Sequence, residues 1–238
     1  MNKQIEIARQ RIIEARHLVS FSGAGLSAES GIATFRDKDE DSLWSKFDPM
    51  QLASQEGFKS DPAMVIDWYN WRRKTLAKVV PNEAHKTLGN QSMVHITQNV
   101  DHLLEAGGAT PERVLHLHGS LLEDRCNANC GYSESVKLSD PPGLRDCPDC
   151  GAYMRPSVVW FGEQLPDEVM HQAMADTIKA DLFLVIGTSA VVYPAAGLIS
   201  VAKQNGAEVI VVNTEASEDS ADIELIGKAG QRVPQLFS

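Results

Sequence analysis

The chain has 238 residues, enough for a large core in one domain or in a domain carrying a small insert. A formal net charge of −10 argues against a dedicated nucleic-acid binder, whose affinity rests on Lys and Arg neutralising phosphates, but leaves a basic protein or peptide open as substrate. No apolar run approaches the ~20 residues that span a bilayer, and Met1–Glu6 lacks an apolar leader, so no membrane partner is expected and the cytoplasm is the default location.

Residues 3–16 set Ile5, Ile12 and Ile13 among charges, the pattern of an opening amphipathic helix. His17–Phe21 follows as a buried strand and runs into Gly23-Ala24-Gly25-Leu26-Ser27-Ala28. Glycines just past a strand end let backbone approach a pyrophosphate, and a following helix start can supply N–H donors to it. Gly23, Gly25 and Ala28 alone are a weak signal, because small-residue turns are common. The continuation through Gly31-Ile32-Ala33-Thr34-Phe35-Arg36 is far more specific. Asp37–Asp41 is acidic and reads as a surface loop. Asp61-Pro62 makes an N-cap and first-turn pair for a helix running to Val79, and Asn82 caps a short helix containing His85 and Leu88.

Strand candidates then recur at Met93–Thr97, Val114–Leu117, Leu182–Ile186 and Val209–Val212, with helices at Pro166–Ala180 and Ala195–Asn205. Alternating strands and helices imply an α/β fold built on a doubly wound parallel sheet. Residues 123–155 interrupt the rhythm. They hold all four cysteines, as Cys126-x3-Cys130 and Cys147-x2-Cys150 separated by sixteen residues. In a cytosolic chain such pairs more often bind metal than form disulfides, and this spacing suits tetrahedral zinc. Two redox pairs or four unrelated thiols are the alternatives.

Polar clusters sit at the strand ends: Thr97-Gln98-Asn99-Val100-Asp101, His116-Leu117-His118-Gly119, Gly187-Thr188-Ser189 and Asn213-Thr214-Glu215. Ligands of open α/β sheets bind outside the carboxyl ends of the strands, so all four should line one crevice with the glycine loop. Spacing cannot choose between His116 and His118, which lie two apart and would face the same side of a strand.

Taken together, the Gly23–Arg36 loop, Thr97–Asp101, Leu117-His118-Gly119, the four cysteines, Val158-Val159-Trp160-Phe161-Gly162-Glu163, Gly187–Ser189 and Asn213 resemble the sirtuins, NAD-dependent protein-lysine deacylases. Ala33 departs from the proline usual there, and the acidic loop is slightly long. The resemblance implies one catalytic domain: a Rossmann-like NAD-binding part from 1–37, 82–122 and 156–238, a helical insertion with the acyl pocket at 38–81, and a zinc module at 123–155. It implies that NAD is consumed, giving nicotinamide, O-acyl-ADP-ribose and free lysine. His118 would be the general base on a ribose hydroxyl, an imidazole being suited to neutral pH, with Asn99 also catalytic. Cofactor contacts would come from Gly23, Ala24, Gly25, Ser27, Phe35, Arg36, Gln98, Asn99, Asp101, Gly187, Thr188, Ser189, Asn213, Glu215 and Ala229. The substrate would be an acylated-lysine protein or peptide bound as an added strand along Val159, Trp160, Phe161 and Gly162. One structural zinc would sit on Cys126, Cys130, Cys147 and Cys150; four ligands leave no open position for catalysis. A monomer is the simple expectation.

Trp68-Tyr69-Asn70-Trp71-Arg72-Arg73 lies on the helix after Asp61, where Tyr69 can neighbour Arg72 or Arg73. An arginine fork plus a phenol suits a carboxylate, although the pattern alone favours a solvated basic face behind core aromatics. Tyr69-x-x-Arg72, with the small Ala53, resembles the sirtuin class that removes succinyl and malonyl groups. That resemblance implies preference for negatively charged acyl-lysines with deacetylation retained. Mono-ADP-ribosyl transfer on the same scaffold, a zinc-containing NAD oxidoreductase and a zinc-ribbon binding module are the competing functions.

Overall fold

A computed structural model describes residues 3–32, 48–189, 193–216 and 221–238. Its centre is a six-stranded parallel sheet made of β1 (Leu18–Ser22), β2 (Val94–Thr97), β3 (Val114–His116), β7 (Leu182–Ile186), β8 (Glu208–Asn213) and β9 (Ile223–Ile226), in the order β3-β2-β1-β7-β8-β9. The apolar runs are continuous because both faces are covered. Leu182, Leu184 and Ile186 pack with Ile5, Ala8, Leu88 and Val233 on one side, while Phe183 and Val185 pack with Ala173, Leu198 and Ala202 on the other. From β1 the chain winds outward to β2 and β3, and on the far side from β7 to β8 and β9. The strand order therefore reverses between β1 and β7, the place where open α/β sheets take their ligands.

Expected helices are present, ending by a few residues differently. Helix α1 spans Lys3–Glu14, α4 spans Pro62–Leu76 behind the Asp61 cap, and α5 spans Glu83–Gly89. The Asn82 side chain accepts from Ala84 and His85 N–H, and the His85 ring accepts from Asn82 N–H, a reciprocal cap that uses a histidine. Short helices α2 (Pro49–Leu52) and α3 (Gln55–Ser60) precede α4, each started by its own Asp48 or Ser54 cap. Leu103–Ala106 forms α6, Asp167–Lys179 α7 and Gly197–Gln204 α8. Among the elements beyond the sequence expectation are β9 and helix α9 (Ala229–Leu236). Both are weakly signalled, β9 being a four-residue edge strand and α9 carrying Gly230 and Pro234.

A second, antiparallel sheet pairs β4 (Gly119–Cys126) with β5 (Ser133–Ser135) and β6 (Met154–Val158). It reaches from the residue after His118 to the residue before Val159, so both ends of this sheet open on the site. Arg73, 1% exposed, fastens α4 to it: Nε donates to Leu121 O at 2.9 Å, and Nη2 donates to Asp124 Oδ1 at 2.6 Å. Among the described residues no helix is long and apolar enough to cross a membrane.

Candidate active site

The loops leaving β1 and β7 touch each other at the switch point. Gly23 N–H donates to Ile186 O at 3.0 Å and Gly25 N–H to Gly187 O at 2.8 Å. A Cβ on Gly25 would stand 2.6 Å from Gly187 Cα, and one on Gly23 would stand 2.9 Å from Thr188 Cβ. These glycines are thus required by the contact of two loops, a stricter demand than approach to a ligand. The residues after Gly23 form two single-turn 3-10 helices, Ala24–Leu26 and Ala28–Ser30, in place of the helix start the pattern suggested. Gly25→Ala is expected to destabilise the fold by about 1–3 kcal/mol through forced displacement of Gly187. A thermal melt without ligand checks this; an unchanged Tm would mean the loops yield freely.

Ser27, fully buried, gathers the next layer. Its hydroxyl donates to Asp101 Oδ2 at 2.9 Å and accepts from Asn99 Nδ2 at 3.1 Å. It also accepts from His85 Nε2 at 3.3 Å, a direction fixed because His85 Nδ1 is already the acceptor of Asn82 N–H. Burial lowers the His85 pKa to about 4, which keeps the ring neutral. Asp101 also caps α6 through Leu103 N–H at 3.1 Å, so the capping role and the site role of this carboxylate coexist. Burial raises its pKa, opposed by the bonds from Leu103 and Ser27. His85 carried no site role in the sequence reading; its only visible signal is the spacing Asn82-x-x-His85.

The geometry separates the two histidines. His118 Nδ1 lies 3.0 Å from Gln98 O, which can only accept, so Nδ1 holds the proton and Nε2 carries the lone pair. Burial lowers the His118 pKa, the Gln98 bond opposing it, so the neutral, basic form persists below the ordinary imidazole range. His116 has both nitrogens engaged, Nδ1 with Asn99 O at 2.9 Å and Nε2 with Glu105 Oε1 at 2.8 Å. His118 keeps Nε2 for a ligand, whereas both nitrogens of His116 are bonded within the protein.

Gln98 stands between these loops. Its Oε1 accepts from Thr188 Oγ1 at 3.1 Å, while its buried Nε2 has no partner among the described residues. An unpaired buried amide donor is costly, and a ligand carbonyl or hydroxyl would relieve it. Asn213 Nδ2 donates to Thr188 O at 3.0 Å, which joins the β7 and β8 loops, with Gly187 and Ser189 in the same turn. Glu215 is exposed beyond Asn213, Ala24 is half-buried in its 3-10 turn, and Ala229 opens α9, buried. Phe35 and Arg36, with Ala33 and the acidic stretch, lie outside the described residues.

On the other side of His118, Val159 N–H donates to His118 O at 2.9 Å and Phe161 N–H to Ala53 O at 2.8 Å. Glu163 carries four donors: Gln55 Nε2 (2.7 Å) and Arg155 Nη2 (2.5 Å) on one oxygen, Trp160 N–H (2.9 Å) and Arg125 Nη2 (3.1 Å) on the other. Arg155 is fully buried with its guanidinium carbon 3.9 Å above the Trp160 ring. This hub was invisible in the sequence because its members come from four separate segments. It holds Val159–Gly162 beside His118, with Phe161 exposed at 48% and Gly162 exposed.

Of the two arginines, Arg72 is the one that faces Tyr69. Its guanidinium lies 4.9 Å from the Trp68 ring centre and 5.7 Å from that of Tyr69, whereas Arg73 turns to β4. Tyr69 is 1% exposed and its Oη accepts from Trp160 Nε1 at 2.9 Å. Burial lowers the Arg72 pKa, offset by Tyr69 and Asp101. Ala53, Tyr69 and Trp160 share one buried cluster, so the acyl-pocket candidates meet the peptide-strand candidates.

The four cysteine sulfurs lie within 4.8 Å of one another, with Cys126–Cys150 at 3.3 Å and Cys130–Cys147 at 3.6 Å. Disulfide sulfurs would be ~2.0 Å apart. Tetrahedral zinc with ligands at ~2.3 Å needs sulfurs ~3.8 Å apart, and this donor set fits it.

A profile of the Sir2 family matches residues 23–194. The chain belongs to the Sir2 family. A relative from Mycolicibacterium paratuberculosis, named NAD-dependent protein deacylase, is 45% identical over 227 residues, covering 91% of this chain and 94% of that one. The crystal structure of a Sir2 homolog–NAD complex superposes with a TM-score of 0.87 at 42% identity, covering 97% of this chain and 92% of the other. A Sir2 bound to acetylated peptide gives 0.85 at 27% identity, covering 99% and 97%. The Rossmann-like sheet with its four-cysteine module is therefore a sirtuin architecture.

Proposed function

We propose that this chain is an NAD-dependent protein-lysine deacylase that favours succinyl- and malonyl-lysine and retains deacetylation. The observation that carries the deacylase reading is His118, a neutral imidazole with its lone pair at Nε2, set between the switch-point loops and the Val159–Gly162 segment. NAD, when bound, supplies an electrophilic ribose carbon and nicotinamide as leaving group. Gly23, Ala24, Gly25, Gly187, Thr188 and Ser189 would hold its phosphates and ribose by backbone and hydroxyl donors, with Phe35 and Arg36 closing from the same loop. Gln98, Asn99 and Asp101, tied together through Ser27 and Thr188, would orient the nicotinamide end, and Asn213, Glu215 and Ala229 the adenosine end. His118 Nε2 then removes a proton from a ribose hydroxyl. The peptide backbone would lie along Val159, Trp160, Phe161 and Gly162. The N–H groups of the first three are engaged internally, and the Trp160 carbonyl also accepts from Glu163 N–H at 3.0 Å. Cys126, Cys130, Cys147 and Cys150 hold a structural zinc.

The acidic-acyl preference is supported by Arg72 stacked over Tyr69 and Trp68 beside the small Ala53. A guanidinium and a phenol O–H can both donate to a terminal carboxylate, and a charged hydrogen bond contributes about 1.5–3 kcal/mol. Arg72→Met should therefore lower kcat/KM for succinyl- and malonyl-lysine peptides by about 10- to 150-fold and for acetyl-lysine by only a few-fold. Nicotinamide release across acetyl, malonyl, succinyl and long-acyl peptides measures both. Equal losses on all four would remove the carboxylate clamp, and ADP-ribose ending on protein would mark ADP-ribosyl transfer.

A further inference from the structure

Two histidines two positions apart hold consecutive carbonyls of one loop. His118 Nδ1 bonds Gln98 O and His116 Nδ1 bonds Asn99 O. They differ at Nε2, which His116 points at the Glu105 carboxylate, 2.8 Å away on α6. A carbonyl and a carboxylate have no proton to give, so the His116–Glu105 pair needs two protons to make both of its bonds. A neutral ring beside an ionised Glu105 has one, and must abandon either the carboxylate or the Asn99 carbonyl.

We propose that the doubly protonated His116–Glu105 pair is a positioning device for the proposed deacylation, fixing the Asn99 carbonyl and through it the Gln98–Asn99 loop that carries the base's own anchor. This rests on the deacylase reading above. The loop's N–H groups are held by Ser22 O (Gln98 N–H, 2.9 Å) and Thr97 Oγ1 (Asn99 N–H, 3.1 Å) and its Gln98 carbonyl by His118, so the His116 bond is what fixes the Asn99 carbonyl. The charge has a consistent setting. Burial opposes an imidazolium at His116, but the Glu105 bond and charge, the Asn99 carbonyl and Asp101 outweigh it, and the pKa is raised. Glu105 also faces His85 on α5, His95 on β2 and His102 at the start of α6, while Arg113 acts on His95 and Arg72 on α4 lies toward Asp101. Burial holds His85 and His95 near 4, so neither adds charge to the cluster at neutral pH.

The direction of the pH effect follows. A raised pKa keeps the second proton on the pair above the ordinary imidazole range, and it is lost as pH climbs through the folded value. His118, lowered, is already basic below the ordinary imidazole range of about 6.5. Activity is therefore bounded on the acid side by His118 and on the alkaline side by His116. Following kcat/KM for NAD against pH, together with imidazole nitrogen shifts and the backbone shifts of Gln98 and Asn99 by NMR, tests this. In the wild type, the alkaline limb, the His116 titration and the Gln98–Asn99 shifts should share one apparent pKa above 6.5. In Glu105→Gln the amide can donate to Nε2, one proton suffices, and both the limb and the coupled backbone shift should disappear. A His116 that titrates at or below the ordinary imidazole value of about 6.5 in the wild type, or a limb unmoved in Glu105→Gln, overturns the proposal. If the variant does not fold, the wild-type NMR titration decides alone. If no acyl peptide releases nicotinamide at any pH, the deacylase reading fails while the shared backbone titration still reports on the pair.

Discussion

His118→Ala should lower kcat for deacylation by about 10²- to 10⁴-fold, the contribution expected of one positioned general base. The reason lies in how the ring is held. With Nδ1 committed to Gln98 O, the residue presents a single lone pair in a fixed direction, and burial keeps it unprotonated at neutral pH. Removing it deletes one half-buried hydrogen bond, about 0.5–1.5 kcal/mol of stability, so the fold and NAD affinity should change little. Single-turnover assays on an acyl peptide, with calorimetric NAD titration as control, separate chemistry from binding. A variant retaining more than a tenth of wild-type kcat would mean that another group takes the proton. His116 cannot be that group, since both its nitrogens already have partners.

The same pair of histidines marks where sequence reading stops. His116 and His118 are equivalent by period-two geometry, yet β3 ends at His116, and only the neighbours at Glu105, Gln98 and Asn99 tell their protonation states apart. Such neighbours are set by tertiary structure. Leu182–Ile186 was legible to the residue because a strand buried on both faces must be apolar throughout. The cysteine spacing was legible because tetrahedral coordination imposes tight turns. Arg72 and Arg73 were ambiguous for the opposite reason, as both can reach Tyr69 and only Asp124, fifty-one residues on, claims Arg73. Gly23 and Gly25 were found by pattern, but what demands them is Gly187 and Thr188 on the loop after β7. The Glu163 hub gave no local signal at all.

Removing the metal ligands should act on the fold before it acts on the chemistry. Structural zinc at four thiolates binds with apparent free energies of roughly 10–16 kcal/mol in small zinc domains, comparable to the roughly 5–15 kcal/mol that stabilise a whole domain. Cys126 ends β4, the strand that begins one residue after His118 and receives Arg73 at Leu121, Glu123 and Asp124. Asp124, 3% exposed, also accepts from Arg145 Nη2 at 3.0 Å, and Arg145 lies two residues before Cys147 while bridging to Glu134. The chain of contacts thus runs from the thiols through Asp124 to Arg73, the residue beside Arg72. Cys126→Ser should release close to one zinc per chain to a colorimetric chelator and lower Tm substantially. Asp124→Asn should keep its zinc yet lose about 3–5 kcal/mol, because Arg73 would be left as a buried, under-compensated charge. In each variant kcat per folded molecule should stay near wild type. If zinc left Cys126→Ser with Tm unchanged, β4 would be standing without its metal and this coupling would not exist. If kcat per folded molecule collapsed instead, the four-cysteine site would have a part in the chemistry that a closed coordination shell does not allow.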